Sequence, residues 1–323
     1  MANVEGMCDD AILALDLGTS GCRAEVFSLE GVSLGWAYEE YELLSPEPGA
    51  AEQDAEGWWR ALVRCARKAL SGCRAGARTP PQKVGDNGRR GTSPRPTAEA
   101  GETPALRVLG IGISAQGHSW VPVDGGLRPL RKAMTWLDAR AEGQARRLLE
   151  DHPLEFWGAH AGKQPGQWHL LPQLLWLREH EPETVAAARR YLFAHDYILM
   201  RLTGEVATDY TTAAGSLLFD LREWGWSSEL LAEYGVEEGL LPRVVPAGTV
   251  AGKLTAEAAE ELGLTGDVVV AVGAQDQKCA ALAAGLDGTT ATASLGTATA
   301  IIARVAEPRF EAQHGLVSCP INI

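Results

Sequence analysis

AILALDLGTSGCRAEVFSL, residues 11–29, is the stretch from which the fold class is read. Two short apolar runs, Ala11 to Leu15 and Ala24 to Leu29, flank the turn Asp16-Leu17-Gly18-Thr19-Ser20-Gly21-Cys22-Arg23. That pattern predicts an antiparallel hairpin. The turn also carries the parts of a phosphate site. Gly18 and Gly21 let the backbone bend and approach a ligand closely, and successive amides there can form an anion-binding nest. Thr19 and Ser20 add hydroxyl donors, and Arg23 adds a fixed positive charge. Asp16, at the end of the first strand, is suited to hold magnesium directly or through water. No Gly-Lys-Ser/Thr follows, so this is not a Walker loop. The plainer alternative is a hairpin turn with a polar tip.

Outward from the hairpin, Val32 to Leu43 predicts a third antiparallel strand. Ala55 to Leu70 has the spacing of an amphipathic helix, with Trp58, Trp59, Leu62, Val63, Ala66 and Leu70 on one face. Residues 74–104 hold five prolines, five glycines, six basic and three acidic residues, with Val84 the only large apolar side chain. Such a segment cannot bury enough apolar surface to offset chain entropy, and it is expected to be a disordered insertion. Val108 to Ser114 resumes as a buried strand. Helical patterns follow at Ala139 to Glu150, Gln167 to Glu179, Glu183 to Arg190 and Tyr197 to Leu202. A second α/β unit is expected from near Thr249. It comprises the run Val268 to Gly273, a helix over Gln277 to Ala284, and strands at Thr290 to Leu295 and Ala300 to Val305. Alternating strands and helices in both halves make the class α/β.

Three further positions carry chemistry. Asp276 lies where a buried strand gives way to a helix, the place where α/β folds bind ligands. A carboxylate there can accept a proton from a hydroxyl that attacks a γ-phosphate, or can simply cap the helix. Gln116, Gly117 and His118 follow the strand ending at Ser114, where side chains can bond sugar hydroxyls and Gly117 leaves room. Trp136 can pack on the apolar side of a polyol, while Asp138 and Arg140 read as a helix-start carboxylate and a structural ion pair. A second turn, Ser294 to Ala300, repeats the logic of the first, with Gly296 and Thr297 placed to meet outer phosphates. Trp58, Trp59 and Trp176 read as core.

Composition sets the bounds. The 323 residues suffice for two domains. The net charge of −13 argues against nucleic acid or an anionic membrane as the main partner. Six cysteines at 8, 22, 65, 73, 279 and 319 form no Cys-x-x-Cys pair, as in a reduced, cytoplasmic protein. The acidic N-terminus lacks the features of a signal peptide.

As an ordered set, these segments resemble the FGGY carbohydrate kinases, most closely the xylulokinase-like branch. The matching segments are LDLGTSG (15–21), EQDAEGWW (52–59), LGIGISAQGH (109–118), TWLDAR (135–140), LLWLREHEPE (174–183), DYILMRLTGE (196–205), TDYTTAAG (208–215), GAQDQ (273–277) and SLGTAT (294–299). The resemblance implies an actin-like ATPase, ribonuclease H-like fold. It would have a complete N-terminal, sugar-binding lobe over 11–246 and a partial C-terminal, nucleotide-binding lobe over 249–323. It implies ATP, Mg2+ and a sugar or polyol acceptor, with Asp276 as base. It places Gly117 and His118 at the sugar, with Gln277 beside the base, and puts Asp16, Thr19, Arg23, Gly296 and Thr297 around phosphates and metal. Xylulokinases usually carry Met-His where this chain has Gly117-His118, and Asp-Asn where it has Asp276-Gln277. Glycerol kinases share Asp-Gln but carry Arg-Glu at the first position. The expected acceptor is a ketopentose, with another ketose, glycerol or a polyol as alternatives. The family's later adenosine-holding segment has no counterpart after Cys319, so a non-catalytic sugar-binding or regulatory remnant is the competing function. An actin-like assembly protein is the third. Unpaired edges and apolar surface in the last strands would favour association, in the simplest case a homodimer.

Overall fold

The computed structural model describes residues 9–74, 106–295, 299–311 and 316–320. Nearly all of the expected insertion over 74–104, and both Gly296 and Thr297, lie outside the described residues.

The hairpin forms as read: β1 (Asp9–Leu17) pairs antiparallel with β2 (Gly21–Ser28), and β2 with β3 (Ser33–Glu40). Ala11, Leu13, Leu15 and Leu17 are all buried while Asp16 is exposed, the period-2 alternation of a sheet covered on one face. The cover is α1 (Ala55–Arg74), which packs on β2 and β3 through Trp58, Leu62, Cys65 and Ala69. It runs through Arg74, so any insertion begins one residue later than expected.

The strand β4 (Leu106–Ala115) inserts parallel to β1. The next strands are far along the chain: β5 (Val250–Lys253), β6 (Val269–Ala271) and β7 (Ala274–Gln275). The sheet order is β5-β6-β4-β1-β2-β3, with β7 also on β4. The sheet therefore does not break at Thr249, where a new unit was expected. Val268, Val270 and Val272 are buried in the same core as Ile111 and Ile113. The helix Ala256–Leu262 connects β5 to β6, which pair antiparallel. Beyond these strands, Ala291–Leu295 and Thr299–Ala303 pair only with each other among the described residues.

A second layer is built mostly from the chain between β4 and β5. Its four-stranded sheet runs Glu52–Gln53, which precedes α1, then Ala133–Met134, Trp120–Val123 and Arg190–Phe193. Against it pack the helices Glu142–Asp151, Leu154–Ala161 and Leu170–His180. One expected helix was too long. The turn Pro182–Ala187 stops where Ala188 becomes extended, and Arg190 to Phe193 instead pair with Trp120 to Val123. Among the described residues, no helix is long and apolar enough to cross a membrane.

Candidate active site

A row of residues in register crosses the sheet. Arg23 lies opposite Asp16, Asp16 opposite Ser114, and Ser114 opposite Ala274. Adjacent strands are ~4.8 Å apart, so this row brings the first turn to within two strand spacings of the segment that carries Asp276. The parallel strands β1, β4 and β7 all end on this edge, the carboxyl edge where α/β sheets bind ligands.

Asp276 opens the helix Asp276–Ala283. Its Oδ1 accepts from the backbone N–H of Gln277 at 2.7 Å and from Gln275 Nε2 at 2.5 Å. Burial raises its pKa to about 6, and the negative charge of Asp16 adds to the rise. A carboxylate in this range is poised to take up a proton near neutral pH.

The segment before Asp276 is tightly held. Gly273 N–H donates to Nε2 of the buried His195 at 2.9 Å, and His195 Nδ1 meets Asp196 at 3.0 Å. Gln275 N–H donates to Thr211 Oγ1 at 2.9 Å. A Cβ on Gly273 would sit 1.5 Å from the Ile113 carbonyl oxygen, so only glycine lets β7 approach β4.

At the first turn, Gly18 N–H closes on the Gly21 carbonyl at 3.0 Å, and the Tyr41 hydroxyl donates to the Gly18 and Gly21 carbonyls. Ser114 Oγ donates to Asp16 at 2.8 Å. Trp136 Nε1 donates to Thr19 Oγ1 at 2.9 Å, tying the turn to the segment that carries Thr135 and Asp138. Ser20 is exposed, and the Arg23 guanidinium lies 5.7 Å over the Trp36 ring.

The side chain of Gln116 is enclosed. It donates to Gln53 Oε1 at 2.9 Å and accepts from Ser119 at 3.1 Å. Gln53 in turn donates to the Thr19 carbonyl at 2.6 Å and accepts from Trp58. Gln116 thus braces the first turn through Gln53, a residue whose role the sequence did not show. Gly117 is dictated by contact, since a Cβ there would meet Gln275 Cγ at 2.6 Å. His118 packs against Gly215, its Nδ1 buried and unpartnered, and burial holds its pKa well below the usual imidazole range. Gln275 Oε1, Gln277 Oε1 and Thr212 Oγ1 are likewise buried without partners. Asp138 and Arg140 form the structural pair anticipated, extended by Glu47 and Glu52.

Among the described residues no group of three or more His, Cys, Asp or Glu side chains could hold a metal. Magnesium, however, commonly binds through one or two carboxylates together with substrate phosphates. The exposed Asp16, with Asp276 within reach of its charge, fits that requirement.

Residues 11–83 and 95–283 match the model of the FGGY family of carbohydrate kinases, N-terminal domain. The chain is 36% identical over 200 residues to a xylulose kinase of Streptomyces rubiginosus, covering 62% of this chain and 41% of that protein. Its fold superposes on a xylulose kinase from Rhodospirillum rubrum with a TM-score of 0.77 and 28% identity, covering 91% of this chain and 55% of that one. A ligand-bound xylulose kinase from Lactobacillus acidophilus gives a TM-score of 0.83 at 21% identity, covering 97% and 58%. The chain spans about half the length of the relatives it matches.

Proposed function

The chain belongs to the FGGY family of carbohydrate kinases, with the actin-like ATPase fold of its structural neighbours, and from that premise we propose that it acts as an ATP-dependent carbohydrate kinase. The proposed acceptor is a sugar hydroxyl, in the first place that of a ketopentose such as xylulose. The observation that carries this reading is the setting of Asp276. It is a half-buried carboxylate with a raised pKa at the carboxyl edge of the sheet, flanked by Gln275 and Gln277, whose buried amide oxygens have no partner. Polar atoms buried without partners are costly, and the hydroxyls of a polyol would satisfy them.

In the proposed reaction, Asp276 orients the acceptor hydroxyl and accepts its proton as the oxygen attacks the γ-phosphate of ATP. The proton ends on the carboxylate and ADP leaves. The backbone of the Gly18–Gly21 turn holds the nucleotide's phosphates, with Thr19 fixed by Trp136. Bound Mg2+ would be held by Asp16 and would neutralise charge developing on the phosphates. Gln277 and His118 position the sugar.

The test is ADP release with ATP and magnesium across a panel of ketoses and polyols. Acceptor-dependent release supports the reading and names the acceptor. Acceptor binding by calorimetry without any release would favour a sugar-binding component instead, and glycerol-dependent release would favour a polyol kinase.

A further inference from the structure

A cavity of about 530 Å³ opens where the strand Arg243–Val245 pairs with Ala207–Asp209. That volume is in the range of small-molecule sites. Arg190, Val206, Trp224, Trp226, Arg243 and Val244 line it, and none of the residues proposed above to meet acceptor or nucleotide does.

The two guanidiniums on its walls are uncommitted. Arg243 makes no side-chain hydrogen bond or ion pair among the described residues, and Arg190 donates only to the carbonyl of Arg189, at 2.7 Å. Glu238, the carboxylate of the lining, is exposed and pairs with neither. An anion between the arginines would relieve the repulsion of two like charges on one cavity.

Trp224 is an independent observation. Its φ of +54° is left-handed backbone, which is costly for a bulky side chain. Gly225 follows directly and could take such a conformation freely. Nor does burial account for the indole, which is 44% exposed. It is nevertheless held: the Trp224 backbone N–H donates to the Asp220 carbonyl at 3.0 Å, and its ring stands perpendicular to that of Tyr210 at 5.0 Å. Trp226 is fixed by donation from Nε1 to the Pro242 carbonyl at 2.9 Å. An open, pre-oriented indole offers a stacking face, and a guanidinium fork matches a carboxylate or phosphate.

We infer that this cavity is a second ligand site that takes a flat-ringed anion, with the ring on Trp224 and the oxyanion on Arg190 and Arg243. The shared chemistry is a planar ring bearing an oxyanion, whether an aromatic carboxylate or a nucleotide.

The experiment is ligand-observed NMR titration of benzoate, benzamide, cyclohexanecarboxylate and AMP into the full chain and its Trp224→Gly and Arg243→Gln variants. Benzamide removes the charge and cyclohexanecarboxylate the flat ring. The expected result is benzoate binding at least about fivefold tighter than either, with the advantage over benzamide lost in Arg243→Gln and that over cyclohexanecarboxylate lost in Trp224→Gly. AMP binding tighter than benzoate, and weakened by both changes, assigns the site to a nucleotide; AMP binding indifferent to both, with benzoate sensitive to them, assigns it to a carboxylate. Trp224→Gly removes the left-handed strain, and a thermal melt shows that it folds; the exposed, unpaired Arg243 gives a variant that does not touch the core. Equal affinity for benzoate and benzamide overturns the inference, as does benzoate binding that neither variant changes. No residue of this cavity serves the proposed transfer, so the ADP assay stands whichever way this result falls.

Discussion

Asp276 combines two roles that a pH experiment separates. As the proposed base it must be ionised, so acceptor-dependent turnover is expected to fall as pH drops through about 6. Its effect on stability has the opposite sign. A carboxyl whose pKa is raised on folding binds its proton more tightly in the native state, so stability falls as pH rises from its ordinary value of 3.8 to about 6. Asp276→Asn should therefore lower turnover at least about 10²-fold, yet stabilise the chain by roughly 3 kcal/mol at pH 7.5. Thermal melts at pH 7.5 and pH 4 check this, since the gain should vanish at the lower pH. The same scale separates two glycines. Gly117→Ala drives a Cβ against Cγ of the buried, backbone-held Gln275, whereas Gly273→Ala drives a Cβ into the Ile113 carbonyl. The first should reduce turnover and cost about 1 kcal/mol, and the second should cost more than about 3 kcal/mol. The position of Asp276 at a strand-to-helix junction was legible in the sequence, because it follows an apolar run and begins a helical pattern. Gln53 and His195 were not, because their meaning lies in partners distant along the chain: Thr19 and Gln116 for the first, Gly273 for the second.

At the scale of elements, the hairpin of β1 and β2 is closed by Tyr41, whose hydroxyl serves the carbonyls of both Gly18 and Gly21. Tyr41→Phe should cost about 1 kcal/mol of stability and weaken nucleotide binding more than acceptor binding; separate titrations of ATP and sugar would show the split. A uniform loss of both would mean that Tyr41 supports the fold and not the turn. The hairpin, α1 and β4 could be read directly, because period-2 and helical spacing are local properties. Element order in the sheet could not. The glycine and proline near Leu241 to Gly248 resemble a linker, but the chain turns there only to return β5 and β6 to the sheet begun by β1. The strand Arg190–Phe193 was hidden for a similar reason. Its alternation is too short to outweigh the preceding helix, and only pairing with Trp120–Val123 fixes it.

Over the whole molecule, one region stands apart from the buried clusters. The hairpin Ala291–Leu295 and Thr299–Ala303 leaves Ile301 74% exposed, with Val305, Leu316 and Val317 nearby in sequence and also exposed. Apolar surface of this kind favours association. Sedimentation velocity is expected to show concentration-dependent self-association, reduced by the double change Ile301→Glu and Val317→Glu; an unchanged distribution in that variant would locate the contact elsewhere. The cross-sheet row of Arg23, Asp16, Ser114 and Ala274 also bears on synthesis. The hairpin, α1 and β4 leave the ribosome early, but β4 then waits with an open parallel edge while the whole helical layer is made, until β6 and β7 arrive to cover it. A nascent chain so arrested exposes an unpaired strand, and such non-local closure is slow. Chaperone capture is thus expected to fall within that interval, and acquisition of acceptor binding would mark its end.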